Sequence, residues 1–184
     1  MIEHEVKLAF ASVDEARAAL EQAGARLVSP RRLQHDRLYD TPDGRLQTQG
    51  TTLRLRREDD RACVTLKGPC QAGGDVKSRD EIETGVASAD TFEAILAGLG
   101  FRPSCRNEKY REEYALADTH VAIDETPIGV YVEIEGDPAA IAHTAALLGR
   151  SRLDYILGSY RSLYVTWCHT RGVVPGDMIF EKGR

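Results

Sequence analysis

The segment IEHEVKL (residues 2–8) decides which fold the chain can adopt, because charged and apolar side chains alternate along it. A period of two places Glu3, Glu5 and Lys7 on one face of a β-strand and apolar residues on the other. Glutamate and lysine are poor strand formers, so a whole strand face built from them needs a reason beyond backbone propensity. The segment therefore predicts a strand with one aliphatic face and one ionic face.

The same alternation recurs in seven strand-like segments of the chain. Acidic residues dominate the first strand, residues 79–85 and residues 130–136, whereas basic residues dominate residues 53–57, residues 64–68 and the strand that contains KYR. For any single strand the ordinary interpretation is a solvated outer face, since charge runs usually face water. The same alternation in seven strands favours an arrangement in which their charged faces line one common interior. The charged faces carry Glu3, Glu5, Lys7, Arg54, Arg56, Lys67, Arg79, Glu81, Glu83, Lys109, Arg111, Glu113, Asp124, Glu133 and Glu135.

Three E-x-E repeats point to a metal ion, because each places two carboxylates about 7 Å apart on one strand face. Like charges at that distance repel unless a cation lies between them, and a divalent metal prefers oxygen ligands. The basic strands then need an anion, and a polyphosphate suits several arginine and lysine side chains. The repeats are Glu3/Glu5, Glu81/Glu83 and Glu133/Glu135.

About eight strands and four helices are predicted, which indicates an α+β fold with a mainly antiparallel sheet. Eight strands are enough to close a barrel, which turns the charged faces into a lumen and leaves the aliphatic faces to be covered by helices. The chain is predicted to form a single domain over residues 1–184. The predicted strands are residues 2–10, 31–40, 51–58, 62–68, 78–86, 107–116, 120–126 and 129–136, and the predicted helices are residues 12–23, 89–98, 137–149 and a last one from Ser159.

Composition excludes several classes of protein. With 184 residues, a formal net charge of −5 and a pI near 5.6, the chain is long enough for a real core and is not basic as nucleic-acid binders usually are. No apolar run approaches a membrane span, and no apolar leader precedes the first charges, so we expect a cytoplasmic protein. Its four cysteines are expected to be reduced, because their spacing fits neither zinc nor a redox motif.

Some residues keep two interpretations at this stage. Asp36 and Tyr39 either line the mouth of the tunnel or serve as turn and packing residues. The five histidines fall outside any metal-ligand spacing, and we expect them to be ordinary surface or strand residues. The Gly-rich segment 69–77 is predicted to be a mobile loop.

An ordered series of segments resembles the CYTH domains, also called triphosphate tunnel metalloenzymes. The series is EHEVK, YDTPDGRL, LRLRR, VTLKGP, SRDEIE, the KYR strand, IDE and VEIEGD. The E-x-E-x-K segment alone is a weak signal, but the ordered series covers roughly residues 2–160 and is strong. The resemblance implies an eight-stranded antiparallel closed tunnel that acts on a triphosphate with Mg²⁺ or Mn²⁺.

The resemblance also implies a role for each charged residue. The metal ligands would be Glu3, Glu5, Glu81, Glu83, Asp124, Glu133 and Glu135. The triphosphate would be held by Lys7, Arg54, Arg56, Lys67, Lys109 and Arg111. The catalytic group would consist of Lys7, Lys67 and Glu5.

Three activities stay open. The first is a metal-dependent triphosphatase acting on inorganic triphosphate or on a nucleoside or organic triphosphate. The second is a class IV adenylate cyclase, and the third is a protein that binds a polyphosphate or nucleotide without turnover. Leu38 precedes Tyr39 where thiamine triphosphatase-like members often carry a second aromatic residue, which argues against a tyrosine-assisted mechanism of that kind. Relatives commonly form dimers, so a homodimer is one alternative for the oligomeric state.

Overall fold

Eight strands form the centre of the molecule in the computed structural model, which describes residues 2–71 and 74–181. They close into a barrel in the order β1-β5-β4-β3-β2-β6-β7-β8, with antiparallel pairing throughout. The predicted α+β fold, a closed eight-stranded barrel with helices outside, is confirmed. The strands are β1 (Ile2–Phe10), β2 (Arg26–Asp40), β3 (Thr52–Glu58), β4 (Arg61–Lys67), β5 (Lys77–Gly85), β6 (Arg102–Leu116), β7 (Thr119–Thr126) and β8 (Gly129–Glu135).

The four predicted helices are present, and each begins at a capping side chain. Ser12, Ser88, Asp137 and Ser159 each accept a hydrogen bond from a backbone N–H of the first turn, as N-cap residues do. A short further helix was not predicted. The helices are α1 (Val13–Gln22), α2 (Arg45–Thr48), α3 (Ala89–Gly98), α4 (Pro138–Leu147) and α5 (Tyr160–Thr170), with a 3₁₀ turn at Arg152–Asp154.

Asp40 explains the helix that sequence patterns missed. Its carboxylate accepts hydrogen bonds from the backbone N–H groups of Thr41, Leu46 and Gln47. These contacts fold the chain after the turn at residues 41–44 into α2, although no apolar periodicity marks a helix there. The end of β2 is thereby fixed to the segment that leads into β3.

The hydrophobic core lies outside the barrel, between its aliphatic face and the helices. One cluster joins Val6 and Leu8 of β1 to Leu20 of α1 and Ile141 of α4. A second, smaller cluster packs Tyr39 and Leu55 against α3, so Tyr39 is a packing residue and not part of the tunnel mouth. Because the aliphatic strand faces form the core with the helices, the opposite faces, which point into the barrel, can carry charged side chains.

Strands β2 and β6 are longer than predicted. Each has 15 residues, and they pair along most of their length with register shifts near both ends. The added stretches contain Pro30 and Pro103, and proline is tolerated at the bulges and ends of strands. The extra residues of β6 precede the stretch that carries Lys109 and Arg111.

The last part of the chain packs back on the barrel. Ile156 exchanges two backbone hydrogen bonds with Lys7 of β1, and Met178 bonds to the backbone of Arg106 and Glu108 on β6. These two contacts hold α5 across one end of the lumen. Part of the predicted mobile loop, residues 72 and 73, lies outside the described residues. Within the described residues no helix is long and apolar enough to cross a membrane.

Candidate active site in the barrel lumen

The lumen contains a cavity of about 350 Å³ lined mostly by charged side chains. Every predicted site residue except Asp124 lines it. The alternation of each strand places these side chains inside, because the aliphatic residues between them face the helices. The cavity is therefore the meeting point that the sequence pattern predicted.

Carboxylates occupy three neighbouring strands, β5, β1 and β8, and we call this wall the acidic sector. Lys67 lies between Glu3 and Glu81, with Nζ 2.7 Å from a carboxylate oxygen of each. Lys7 donates to Glu5 at 2.9 Å and lies 3.8 Å from Glu133. The acidic sector consists of Glu3, Glu5, Glu81, Glu133 and Glu135.

The acidic sector holds more negative charge than its lysines relieve. Burial, and then the hydrogen-bonded carboxyl of Glu81, raise the pKa of Glu3. Burial, and then the charges of Glu3 and Glu133, raise the pKa of Glu135. A raised carboxyl pKa means that the site favours an added proton or cation. This wall is thus suited electrostatically to bind a metal ion.

Basic side chains occupy β4, β3 and β6, and we call this wall the basic sector. Arg56 forms a bidentate ion pair with Asp36, in which Nε and Nη2 donate to the two carboxylate oxygens at 2.7 and 2.9 Å. Asp36 also lies 3.8 Å from Nη1 of Arg54. Although burial acts in the opposite direction, Arg56 and Arg54 hold the pKa of Asp36 well below its usual range. The basic sector consists of Arg54, Arg56, Lys67, Lys109 and Arg111.

Arg54 carries a donor with no partner. Its Nη2 bonds to Thr65 at 2.9 Å and to Glu83 at 3.4 Å, but its buried Nε has no acceptor among the described residues. A buried unsatisfied donor is unfavourable, so its presence beside a cavity marks a position for an anionic ligand oxygen.

Asp124 lies behind the basic sector and has no exposed surface. It accepts hydrogen bonds from Lys109 at 2.8 Å, from Arg111 at 2.6 and 2.7 Å, and from the hydroxyl of Tyr160 at 2.6 Å. In this arrangement Asp124 orients cations instead of facing the cavity. Its role as a metal ligand stays a prediction that the geometry does not favour.

Lys109 is a fully enclosed cation of the basic sector whose charged form is disfavoured. Burial, and then repulsion from Arg111, lower the pKa of Lys109 to about 8, although Asp124 and Glu133 act in the opposite direction. Arg111 also donates to Glu133 at 2.8 Å, which links the basic sector to the acidic sector. An added anion near Lys109 would relieve the repulsion between the two cations.

Sequence reasoning missed several residues of the lumen. Lys77, assigned to the Gly-rich loop, is the first residue of β5 and pairs with Glu5. Arg79 was placed on the ionic face without a role, and it donates to three backbone carbonyls and Thr52. Tyr160 and Arg161 enter the cavity from α5, and a helical stripe in the sequence carries no signal for that.

A second cavity, of about 330 Å³, lies beyond Arg56, Glu83 and Glu113, which line both spaces. Arg32 stands at this end and pairs with Glu58 at 2.6 Å and with Glu113. The charged interior therefore continues toward the end of the barrel opposite α5.

The donor set of the acidic sector fits a divalent cation, because it supplies only carboxylate oxygens and arranges them as like-charge pairs. Within residues 2–71 and 74–181, however, no three His, Cys, Asp or Glu side chains are assembled as a metal centre. Instead, these carboxylates form ion pairs with Lys7, Lys67 and Lys77. A metal ion would have to displace these ammonium groups.

Comparison with known families agrees with this geometry. The CYTH domain matches residues 1–160, which include all eight strands. The chain belongs to the CYTH family. Its charged lumen is therefore the interior of a CYTH tunnel, and the resemblance noted in the sequence is confirmed.

The sequence identity between this chain and individual relatives is low. A protein of Methanocaldococcus jannaschii, provisionally named an adenylate cyclase, is 29% identical over 136 residues, which is 73% of this chain and 77% of that protein.

Solved structures share the fold. One from Vibrio parahaemolyticus, provisionally described as an adenylate cyclase, has a TM-score of 0.77 at 20% identity and covers 89% of this chain and 97% of its own. A Hippeastrum protein provisionally named an adenylyl cyclase, and described as having a dominant triphosphatase activity, has a TM-score of 0.63 at 15% identity, covering 95% and 97%.

Proposed function

We propose that the protein is a divalent-metal-dependent triphosphatase that hydrolyses the terminal phosphate of a triphosphate inside its tunnel. The observation that carries the proposal is the division of the lumen into an acidic sector on β5, β1 and β8 and a basic sector on β4, β3 and β6. A triphosphate with its metal ion is the ligand that needs both walls at once, since it is itself an anion neutralised by a cation.

In this proposal the basic sector binds the phosphate oxygens. On β3, Arg56 uses Nε and Nη2 for Asp36, which leaves its Nη1 group for phosphate, and the unpartnered Nε of Arg54 supports an acceptor beside it. Lys109 and Arg111 add two charges from β6, oriented by Asp124 and Tyr160. Lys7 and Lys67, at the border of the acidic sector, would bind phosphate oxygens, and the carboxylates that they now contact would hold the metal ion.

The residues that would hold Mg²⁺ or Mn²⁺ are those of the acidic sector, Glu3, Glu5, Glu81, Glu133 and Glu135. A bound ion of this kind neutralises phosphate charge and orients a water molecule. Glu83 is a weaker candidate, because it accepts a hydrogen bond from Thr65 at 2.6 Å and lies 3.4 Å from Arg54.

The reaction requires little covalent chemistry from the protein. Water attacks the terminal phosphorus, the bridging P–O bond breaks, and orthophosphate and diphosphate leave with one proton released. Lys7, Lys67 and the arginines stabilise the charge that develops on the leaving diphosphate, which is electrostatic catalysis by groups already in place.

A second candidate is cyclisation of ATP to cyclic AMP and pyrophosphate. The name of the Methanocaldococcus relative favours it, and the same walls would serve a reaction at the α-phosphorus. The Hippeastrum protein supports neither candidate beyond the fold, because it is only 15% identical.

One assay separates the candidates. The purified protein is incubated with Mg²⁺ or Mn²⁺ and with inorganic triphosphate, ATP or thiamine triphosphate, and both phosphate and cyclic AMP are measured. We expect phosphate without cyclic AMP, and we expect Glu5→Gln to abolish it while Glu21→Gln on the outer helix α1 does not. Cyclic AMP with pyrophosphate would establish the cyclase, and binding without either product would establish a binding protein.

A further inference from the structure

The second cavity, beyond Arg56 at the end of the barrel opposite α5, has a stretch of wall without charge. Ala62, Cys63 and Gly85 form part of its lining, and its volume is about 330 Å³. Cys63 and Gly85 are register partners on β4 and β5. A Cβ atom at Gly85 would meet only the carbonyl oxygen of Ala62 within 4 Å, at 3.9 Å. This stretch of wall therefore leaves room for a ligand.

The charged side chains of the second cavity largely neutralise one another. Three arginines and three glutamates line it, so their formal charges balance. Arg32 forms ion pairs with both Glu58 and Glu113. Arg56 uses two of its nitrogens for Asp36. In contrast to the first cavity, these walls do not require a further anion or a metal ion to balance them.

Gln34 carries an acceptor that the protein leaves unused. Its side chain lines the second cavity, and only 2% of the residue is exposed. Its Nε2 donates to Glu58 at 2.5 Å, whereas its Oε1 has no hydrogen-bond partner among the described residues. The reverse orientation of the amide would place Oε1 against the Glu58 carboxylate, so the unpaired atom is the oxygen. A buried acceptor without a donor is unfavourable, and a ligand that donates to it gains affinity.

The donor that fits this acceptor is a neutral hydroxyl group. Because the charges on the walls balance, the cavity favours neither an ammonium group nor an additional phosphate. No aromatic side chain lines the cavity in the described part of the chain, and nucleobases are usually bound by stacking on aromatic rings. A sugar carries hydroxyl donors and needs neither an aromatic face nor a counter-ion. Because Arg56 lines both cavities, a group attached to bound phosphates can extend past it into the second cavity.

We propose that the second cavity binds the sugar of a nucleoside triphosphate, with a sugar hydroxyl donating to Oε1 of Gln34. The proposal rests on the triphosphatase function above and gives the organic group of the substrate a place in the structure. Water attacks the terminal phosphorus, the bridging P–O bond breaks, and orthophosphate and a nucleoside diphosphate are released with one proton. Gln34 contacts the substrate away from the reacting atoms, so it determines specificity.

A double-mutant cycle between Gln34 and the sugar hydroxyls tests this contact. KM is measured with Mg²⁺ for ATP, 2′,3′-dideoxy-ATP and inorganic triphosphate, on the wild type, on Gln34→Met and on Gln22→Met. Methionine keeps the length of the side chain without the amide, and Gln22→Met is the matched control on the exposed end of α1.

We expect KM for ATP to rise about tenfold in Gln34→Met, as the loss of one hydrogen bond to a buried group does. Removal of the sugar hydroxyls should raise KM of the wild type by a similar factor. The two losses should not add, because they remove the same contact, so KM for dideoxy-ATP should be the same in Gln34→Met and in the wild type. KM for inorganic triphosphate should stay nearly unchanged.

The proposal is overturned if the wild type has the same KM for dideoxy-ATP as for ATP, a comparison that does not depend on a variant folding. It is also overturned if Gln34→Met raises KM for all three substrates equally, as a structural disturbance would, or behaves like Gln22→Met. Hydrolysis of inorganic triphosphate without hydrolysis or binding of ATP would retain the triphosphatase function and reject the sugar site. If no substrate is hydrolysed, the triphosphatase function fails, and titration calorimetry with ATP and dideoxy-ATP on both proteins still decides whether Gln34 binds the hydroxyl.

Discussion

At the scale of single residues, the tunnel gathers pairs of carboxyl groups around one ammonium group. Lys67 serves Glu3 and Glu81 in this way, and Lys7 serves Glu5 and Glu133. In this arrangement each ammonium group offsets part of the negative charge of two carboxyl groups. In the proposed function, the same carboxylates would hold the metal ion and the same lysines would bind the phosphates.

The Glu3→Gln variant tests the metal-binding role of these carboxylates. We expect the Mg²⁺ concentration for half-maximal activity to rise at least tenfold, because one carboxylate charge is removed from the acidic sector, while the far-UV circular dichroism stays the same. Glu21→Gln, on the exposed face of α1, is the control. A Mg²⁺ dependence equal to that of the control would place the metal elsewhere.

The Asp36→Asn variant tests the role of the basic sector. Asp36 is the buried counter-ion of Arg56 and Arg54, so its loss leaves two guanidinium groups facing each other. We expect the free energy of unfolding, measured with urea, to fall by about 3 kcal/mol, as when one partner of a buried ion pair is removed. Asp80→Asn on the exposed outer face of β5 should change it little.

Inorganic triphosphate should partly repair the Asp36→Asn variant, because phosphate oxygens supply the missing negative charge. We expect the ligand to raise the Tm of this variant more than that of the wild type, through binding to the folded state alone. An equal rise in both proteins would mean that the phosphates do not reach Arg54 and Arg56.

At the scale of elements, α5 is the helix that contributes side chains to the lining of the candidate site. Helices α1, α3 and α4 cover the aliphatic face, whereas α5 begins at the lumen and sends Tyr160 and Arg161 into it. The backbone pairing of Ile156 with Lys7, and the contacts of Met178 with β6, fix its position. The first turn of α5 is thus part of the wall of the candidate site.

Tyr160→Phe and Tyr160→Leu separate the two contributions of this helix. The first variant keeps the ring beside Lys7 and Lys109 but loses the hydroxyl that donates to Asp124, and the second loses both. We expect KM for triphosphate to rise several-fold in Tyr160→Phe, for a loss of about 1 kcal/mol, and further in Tyr160→Leu. Tyr155→Phe, outside the lumen, is the control, and a KM unchanged in Tyr160→Leu would remove α5 from the site.

At the scale of the whole molecule, the sequence predicted the barrel because strict alternation carries the inside and outside of each strand. Glu133 and Glu135 could be placed in the lumen on that basis alone. Lys77 could not, since a Gly-rich stretch has no period, and Tyr160 could not, since the apolar stripe of α5 does not reveal which end of the helix meets the lumen. Asp124 was placed on the right strand, but its burial behind Lys109 and Arg111 depends on the closure of the barrel.

At the scale of the whole molecule, acidic and basic side chains balance one another in the lumen, so the free energy of unfolding should depend on pH in the acidic range. The contribution of Glu113 to this dependence can be measured. A hydrogen bond with His120, and then the ion pair with Arg32, outweigh burial and lower the pKa of Glu113 to about 2. Because the pKa is depressed in the folded state, its contribution is fully present above the ordinary value near 4.5 and is lost as pH falls toward 2.

We therefore expect the free energy of unfolding of the wild type to fall steeply between about pH 4.5 and pH 2. In Glu113→Gln that fall should be shallower, and stability at pH 7 should be lower by an amount on the order of 3 kcal/mol, because the group no longer titrates and Arg32 loses a partner. Urea unfolding at a series of pH values measures both, with Glu21→Gln as the control. Parallel pH profiles in wild type and Glu113→Gln would show that the acid sensitivity of the barrel arises from other carboxylates.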